Sequence, residues 1–180
     1  MAMLMAAQQR YPYAGIILND IGPEIHQEGL ARLKSYAGKS SPVKSWEDAA
    51  AQTRRLNEVA FPHYSQQQWL RFARQLYAEN GEGVPVLSYD PGIATAIERD
   101  PNSAVPEDLW DLFRATREFP TLLIHGAISD ILHSDCVKQM QKENPAMRVA
   151  EIDGIGHAPM LDEPQSLSAI RKFLSDKPDR

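Results

Sequence analysis

The residues best placed to do chemistry are an acid and a histidine, each just past a strand-like run. Gly154-Ile155-Gly156-His157-Ala158-Pro159 follows Arg148-Val149-Ala150-Glu151-Ile152. Earlier, Thr121-Leu122-Leu123-Ile124-His125 runs into Gly126-Ala127-Ile128-Ser129-Asp130. In open α/β sheets the edge beyond the strands' carboxyl ends is where ligands bind and reactions occur. An imidazole there can act as a base and then as an acid. A carboxylate beside it holds the tautomer and stabilises the imidazolium. Asp130 and His157 are therefore the candidate catalytic pair. The plainer readings are an aspartate favoured by a helix N-terminus and a loop histidine without a role.

The nucleophile is harder to find. None of the ten glycines has another glycine four positions on, so no G-x-S-x-G turn exists in the chain. Ser129 lies beside Asp130 but lacks such a turn. Cys136 has no base placed beside it. His26, His63, His125 and His133 show no partner pattern and read as structural or solvent-facing, and Asp135 and Asp153 read as surface residues. Trp46, Trp69, Phe72 and Trp110 fall in helical stretches and read as packing, with a pocket wall as the alternative. No CxxC or HExxH is present, so no metal motif stands out.

A chain of 180 residues with 43% hydrophobic content supports one domain with a real core. The net charge of −5 supplies no basic footprint for nucleic acid. The single cysteine excludes an internal disulfide and fits a reducing, cytoplasmic setting. No apolar run reaches the roughly 18 to 20 residues needed to span a bilayer, so no membrane is expected. Met1 to Ala7 is apolar but lacks a positive leading region, and reads as a buried helix rather than a signal peptide.

The elements that must position the pair follow in chain order. Tyr11-Pro12 ends the first helix. Ala14 to Leu18, with Ile16-Ile17-Leu18 consecutive, reads as a strand buried on both faces. From Glu24 to about Phe113 the reading is almost all helix and loop. Ile25, Leu30, Leu33 and Tyr36 mark one helix, stopped by Gly38. Ser45 caps a helix over Trp46 to Val59, with Asp48 completing a capping-box-like pattern. Ser65 caps another, with Trp69, Phe72, Ala73, Leu76 and Tyr77 on one face. Val84 to Tyr89 reads as a short strand or extended segment, a short helix follows Asp90-Pro91-Gly92, and Pro106 starts another through Trp110 and Phe113. After the strand Thr121 to His125, Ser129 or Ser134 starts a helix to about Glu143. Arg148 to Ile152 is the third strand. Pro164 starts the last helix, with Leu167, Ile170, Phe173 and Leu174 on one face. Strands joined by a helix predict a parallel crossover.

These features together resemble the C-terminal part of an α/β-hydrolase-fold protein of the helical-cap type. The carrying residues are Gly15-Ile16-Ile17-Leu18-Asn19-Asp20-Ile21-Gly22-Pro23, the helical block, His125-Gly126-Ala127-Ile128-Ser129-Asp130, Gly154-Ile155-Gly156-His157-Ala158-Pro159 and Asp162-Glu163-Pro164. The resemblance implies three parallel strands with flanking helices. It divides the chain into a helix remnant and first strand (1–23), a helical cap (24–118) and the remaining α/β core (119–180). It implies a hydrolase of carboxylic esters or similar small apolar substrates, with a serine nucleophile attacking, Asp130 and His157 as acid and base, and no cofactor. Asp20 is the runner-up acid, because some members carry it after the strand that Ile16 to Leu18 represents. The missing nucleophile turn implies a chain that begins just after it, with a truncated product, a split enzyme or a non-catalytic binding module as the alternatives. The first strand would then present an open edge, to the absent N-terminal half or to another copy.

Overall fold

All three strands read from the sequence lie side by side in one parallel sheet. The computed structural model describes residues 1–36, 41–90 and 109–176. The short helix expected after Gly92, the start expected at Pro106 and the stop expected at Gly38 lie outside the described residues. The chain divides into two compact units, Met1–Leu30 with Val105–Arg180, and Ala31–Ala104.

In the first unit, β1 (Ile16–Asn19) pairs with the strand Thr121–Gly126, which pairs in turn with Arg148–Ile152. Numbered along the chain these outer and central strands are β1, β4 and β5, in the order β1-β4-β5. The register sets Asn19 against Ile124 and Gly126 against Ile152. Because all three run parallel, Asp20, the segment after Gly126 and the segment after Ile152 emerge at one edge. That alignment is what positions the site.

Burial follows the order. Every residue of central β4 is buried, whereas β1 alternates, with Ile16 and Leu18 buried and Ile17 36% exposed. The expectation that β1 is covered on both faces therefore fails. It has a strand on one side, and among the described residues none on the other. The core joins Ile16, Leu18 and Leu123 to Phe113, Leu132, Val137, Met140 and Met147. The first helix, α1 (Ala2–Gln8), adds Met3 and Ala6 to this core, but Leu4 and Met5 are exposed. It is thus a one-sided surface helix rather than the buried one expected. It stops before Tyr11-Pro12, where Gln9 turns left-handed at φ 47° and donates its N–H to the Ala6 carbonyl.

The remaining helices of this unit match their signals closely. Trp110–Arg114 continues as a 3-10 turn over Ala115–Glu118. Ser134–Glu143 starts after His133, and Pro164–Ser175 begins with its proline in the first turn. Of the face read on the last helix, only Phe173 is fully buried; Leu167 and Leu174 are exposed. The helix Gln27–Tyr36 runs from the first unit into the second.

In the second unit, Trp46–Asn57 is capped by the Ser45 side chain, which accepts the Asp48 amide at 3.2 Å. Gln66–Leu76 has a complete capping box, Ser65 and Gln68 each satisfying the other's backbone N–H. Phe61 packs edge-on against Trp69 and Phe72. One departure stands out. Tyr77 leaves the helix and opens β2 (Tyr77–Glu79), which pairs antiparallel with β3 (Pro85–Leu87). The turn is closed by Asn80, whose side-chain oxygen accepts the amides of Glu82 and Val84, and by Gly83 at φ 76°. The Tyr77 hydroxyl meets the buried Gln52 amide at 2.7 Å. β3 falls within the segment read as a short strand or extended, whereas β2 replaces the end of a helical pattern, its turn closed by side-chain hydrogen bonds at Asn80.

Candidate active site

The site is organised by one aspartate carboxylate. Asp20 follows β1 directly and adopts a left-handed backbone, φ 50°, a region open to aspartate at lower cost than to most residues. Its amide donates to the Ile124 carbonyl at 2.8 Å, continuing the β1–β4 ladder by one rung. The left-handed turn at that rung carries its side chain into the edge rather than along the sheet. There the carboxylate has no exposed surface and receives four hydrogen bonds. Oδ1 accepts from Nδ1 of His125 at 3.0 Å and from the Gly126 amide at 2.8 Å. Oδ2 accepts from the Ser129 hydroxyl at 2.6 Å and from Nδ1 of His157 at 2.9 Å.

A carboxylate offers about four lone-pair positions, so Asp20 is saturated. Burial pushes its carboxyl pKa up, but hydrogen bonds from His125, His157, Ser129 and the Gly126 amide outweigh that and hold it below the ordinary value. The aspartate is therefore a fixed anion. It fixes His157 in turn. With Nδ1 bonded to Asp20 Oδ2, and 3.1 Å from the Asp20 carbonyl, the proton belongs on Nδ1 and Nε2 carries the lone pair. Among the described residues Nε2 has no hydrogen-bond partner, and the imidazole keeps 22% of its surface exposed. The ring is thus held in one orientation with its Nε2 side open.

Two contacts hold the His157 loop against the sheet edge. A Cβ built on Gly126 would lie 2.6 Å from the carbonyl oxygens of Ile155 and Gly156, so only glycine admits this approach. Asn19 donates its side-chain N–H to the Pro159 carbonyl at 3.0 Å. The amides of Ala127 and Ile128 add bonds to the Ile152 and Ile155 carbonyls.

Nδ1 of His157 thus donates to Asp20, where the sequence order had placed Asp130. The reason is geometric. Asp20 sits one residue past its strand, level with the end of β4. Asp130 sits four residues past β4, where its backbone carbonyl lies against Gly29, whose built Cβ would meet it at 2.1 Å. His125, read as structural without a partner, is 2% exposed and bonded to the carboxylate. Ser129 is engaged with that same carboxylate and makes no nucleophile elbow. Burial pushes the Cys136 thiol up to about 11, which keeps it neutral and unreactive near neutral pH. Among the described residues no group of three or more His, Cys, Asp or Glu side chains could hold a metal ion. No described helix is long and apolar enough to cross a membrane.

Known proteins share this arrangement of elements. No protein-family model matches the chain. An alpha/beta hydrolase from Novosphingobium aromaticivorans superposes with a TM-score of 0.87 at 36% identity, over 96% of this chain and 60% of its own. The chain has the α/β-hydrolase fold, with three parallel strands and flanking helices. A 3-hydroxybutyrate-oligomer hydrolase of Cupriavidus necator is 26% identical over 179 residues, 96% of this chain and 60% of the relative. E-2-(acetamidomethylene)succinate hydrolase, at 19% identity and a TM-score of 0.73, shares the fold, over 96% of this chain and 62% of its own. The chain therefore spans about three-fifths of the α/β-hydrolase proteins it matches. The G-x-S-x-G turn that carries the nucleophile in that fold does not occur within these 180 residues.

Proposed function

We propose that this chain supplies the acid and base of an α/β-hydrolase active site, with His157 as base and Asp20 as the acid that orients it. The observation that carries the proposal is the Nδ1–Oδ2 contact of 2.9 Å to a fully buried carboxylate. In the reaction, a serine hydroxyl from polypeptide outside residues 1–180 gives its proton to Nε2 of His157 as it attacks an ester carbonyl. The imidazolium so formed is stabilised by Asp20, and then protonates the leaving alkoxide. Water repeats the sequence on the acyl-enzyme. The substrates are carboxylic esters or similar small apolar molecules, and the Cupriavidus relative adds 3-hydroxybutyrate oligomers to the candidates. The block 24–118 is assigned as the cap of this enzyme. A reducing, cytoplasmic setting fits the single cysteine.

The test is complementation. The chain is co-expressed with the N-terminal two-fifths of the Novosphingobium hydrolase and assayed on short-chain aryl esters. The expected result is turnover lost on His157→Ala, and none from the chain alone. Saturable, His157-dependent turnover by the chain alone would mean that it holds its own nucleophile. A soluble complex without activity would favour the second reading, a binding module, for which the missing nucleophile turn is the specific support.

A further inference from the structure

We infer that Ser129 is a positioning residue of this site, a one-way hydrogen-bond donor that sets the charge and rotamer of Asp20 toward His157. The inference rests on the hydrolase reading for its purpose, but on hydrogen-bond accounting for its content. A serine hydroxyl has one proton to donate and two lone pairs to accept with. In Ser129 both acceptor positions are taken, by the amides of Ile131 at 3.2 Å and Leu132 at 3.0 Å. The proton then has one destination, Oδ2 of Asp20 at 2.6 Å. The hydroxyl cannot rotate to accept from the carboxyl instead, so a protonated Asp20 would face a donor with no counterpart.

The choice of oxygen matters. Oδ2 is the atom that also receives Nδ1–H of His157, whereas His125 and the Gly126 amide share Oδ1. Ser129 therefore acts on the same lone-pair set as the base. It draws charge from Oδ2 and prevents the carboxylate from rotating about its Cβ–Cγ bond. The two amides that direct it belong to the segment after β4, so the turn joining β4 to the following helix is wired into the acid. A residue that served only to close that turn would need no contact with Asp20.

The test reads the imidazole rather than turnover. The full chain is labelled with nitrogen-15, and the His157 ring signals are assigned by their loss in His157→Gln, since five histidines are present. Removing a donor from Oδ2 leaves the oxygen more basic and favours the imidazolium, so Ser129→Ala is expected to raise the His157 midpoint by about half a pH unit. Ser129→Thr, which keeps the hydroxyl, should restore the wild-type midpoint. Ser129→Cys, a weaker donor, should fall between, and decides the matter if the alanine variant does not fold. An unchanged midpoint and Nδ1–H tautomer in Ser129→Ala or Ser129→Cys, with native Gly126 and Ile131 amide signals, would overturn the inference. So would a threonine variant that behaves like alanine. Loss of the hydrolase reading itself would show separately, as complemented enzyme whose turnover survives His157→Ala.

Discussion

Nδ1 of His157 lies 2.9 Å from Oδ2 of Asp20, although the two residues are 137 positions apart in the chain. The contact depends on β1 and β5 flanking β4 in parallel, so that the residues just beyond two outer strands converge over the end of the middle one. It selects between two aspartates that sequence order leaves open.

In the complemented enzyme, Asp20→Asn should lower kcat on the order of ten-thousandfold, the scale of losing the acid from a triad. Asp130→Asn should stay within about tenfold of the parent, an effect typical of a residue that does not touch the base. Steady-state kinetics on an aryl ester decides between them. A reversed order of the two variants would return the acid role to Asp130.

The depressed pKa of Asp20 has a consequence for stability. A carboxyl whose folded value lies below its unfolded value stabilises the fold above the unfolded pKa, and that contribution is lost as pH falls through the folded one. With an ordinary value of 3.8 and a downward shift, the loss begins near that pH and deepens below it. Urea midpoints measured down through this acid range should fall more steeply for the parent than for Asp20→Asn. Parallel curves would show that the four hydrogen bonds confer no linkage.

Gly126→Ala should cost about 1–3 kcal/mol, the usual range for forcing extra volume into a packed site. The added methyl meets two backbone carbonyls, which cannot move aside as a flexible side-chain tip can. The same substitution should loosen the Asp20–His157 contact, because Gly126 also donates to Oδ1. Thermal unfolding, together with the His157 ring signals, measures both effects. An unshifted melting temperature would contradict the close approach.

Strand β1 carries Ile17, 36% exposed, and among the described residues its outer edge has no strand partner. Open, uncharged edges pair with other chains. The isolated chain should therefore self-associate, and Ile17→Lys should raise its monomer fraction in light scattering or sedimentation. A monodisperse parent with a cooperative thermal transition would refute this.

Local pattern alone determined much of the fold. Ile16-Ile17-Leu18, Leu122-Leu123-Ile124 and Arg148 to Ile152 are extended apolar or alternating runs bounded by turn residues, and all three are strands. Ser45 and Ser65 set helix starts by accepting amides of their own next turn, Pro164 by its fixed φ at the first helical position, and these too are visible in sequence. The place of His157 just past β5 was legible because Gly-x-Gly-His after a strand is a local pattern. Of the hairpin after Tyr77, Val84 to Tyr89 was legible as a short strand or extended segment, whereas Tyr77–Glu79 was not, since it follows a strong helical pattern and its turn is closed by one asparagine side chain. Nor was the partner of His157. Asp130 lies nearer in the chain and in the expected order, whereas Asp20 is brought in by strand pairing, a left-handed turn and four converging donors. Those are long-range interactions, and no spacing within one strand or loop encodes them. Sequence determined which residues could stand at the sheet edge; tertiary structure decided which of two carboxylates meets the imidazole, because hydrogen bonds are made by distance in space and not along the chain.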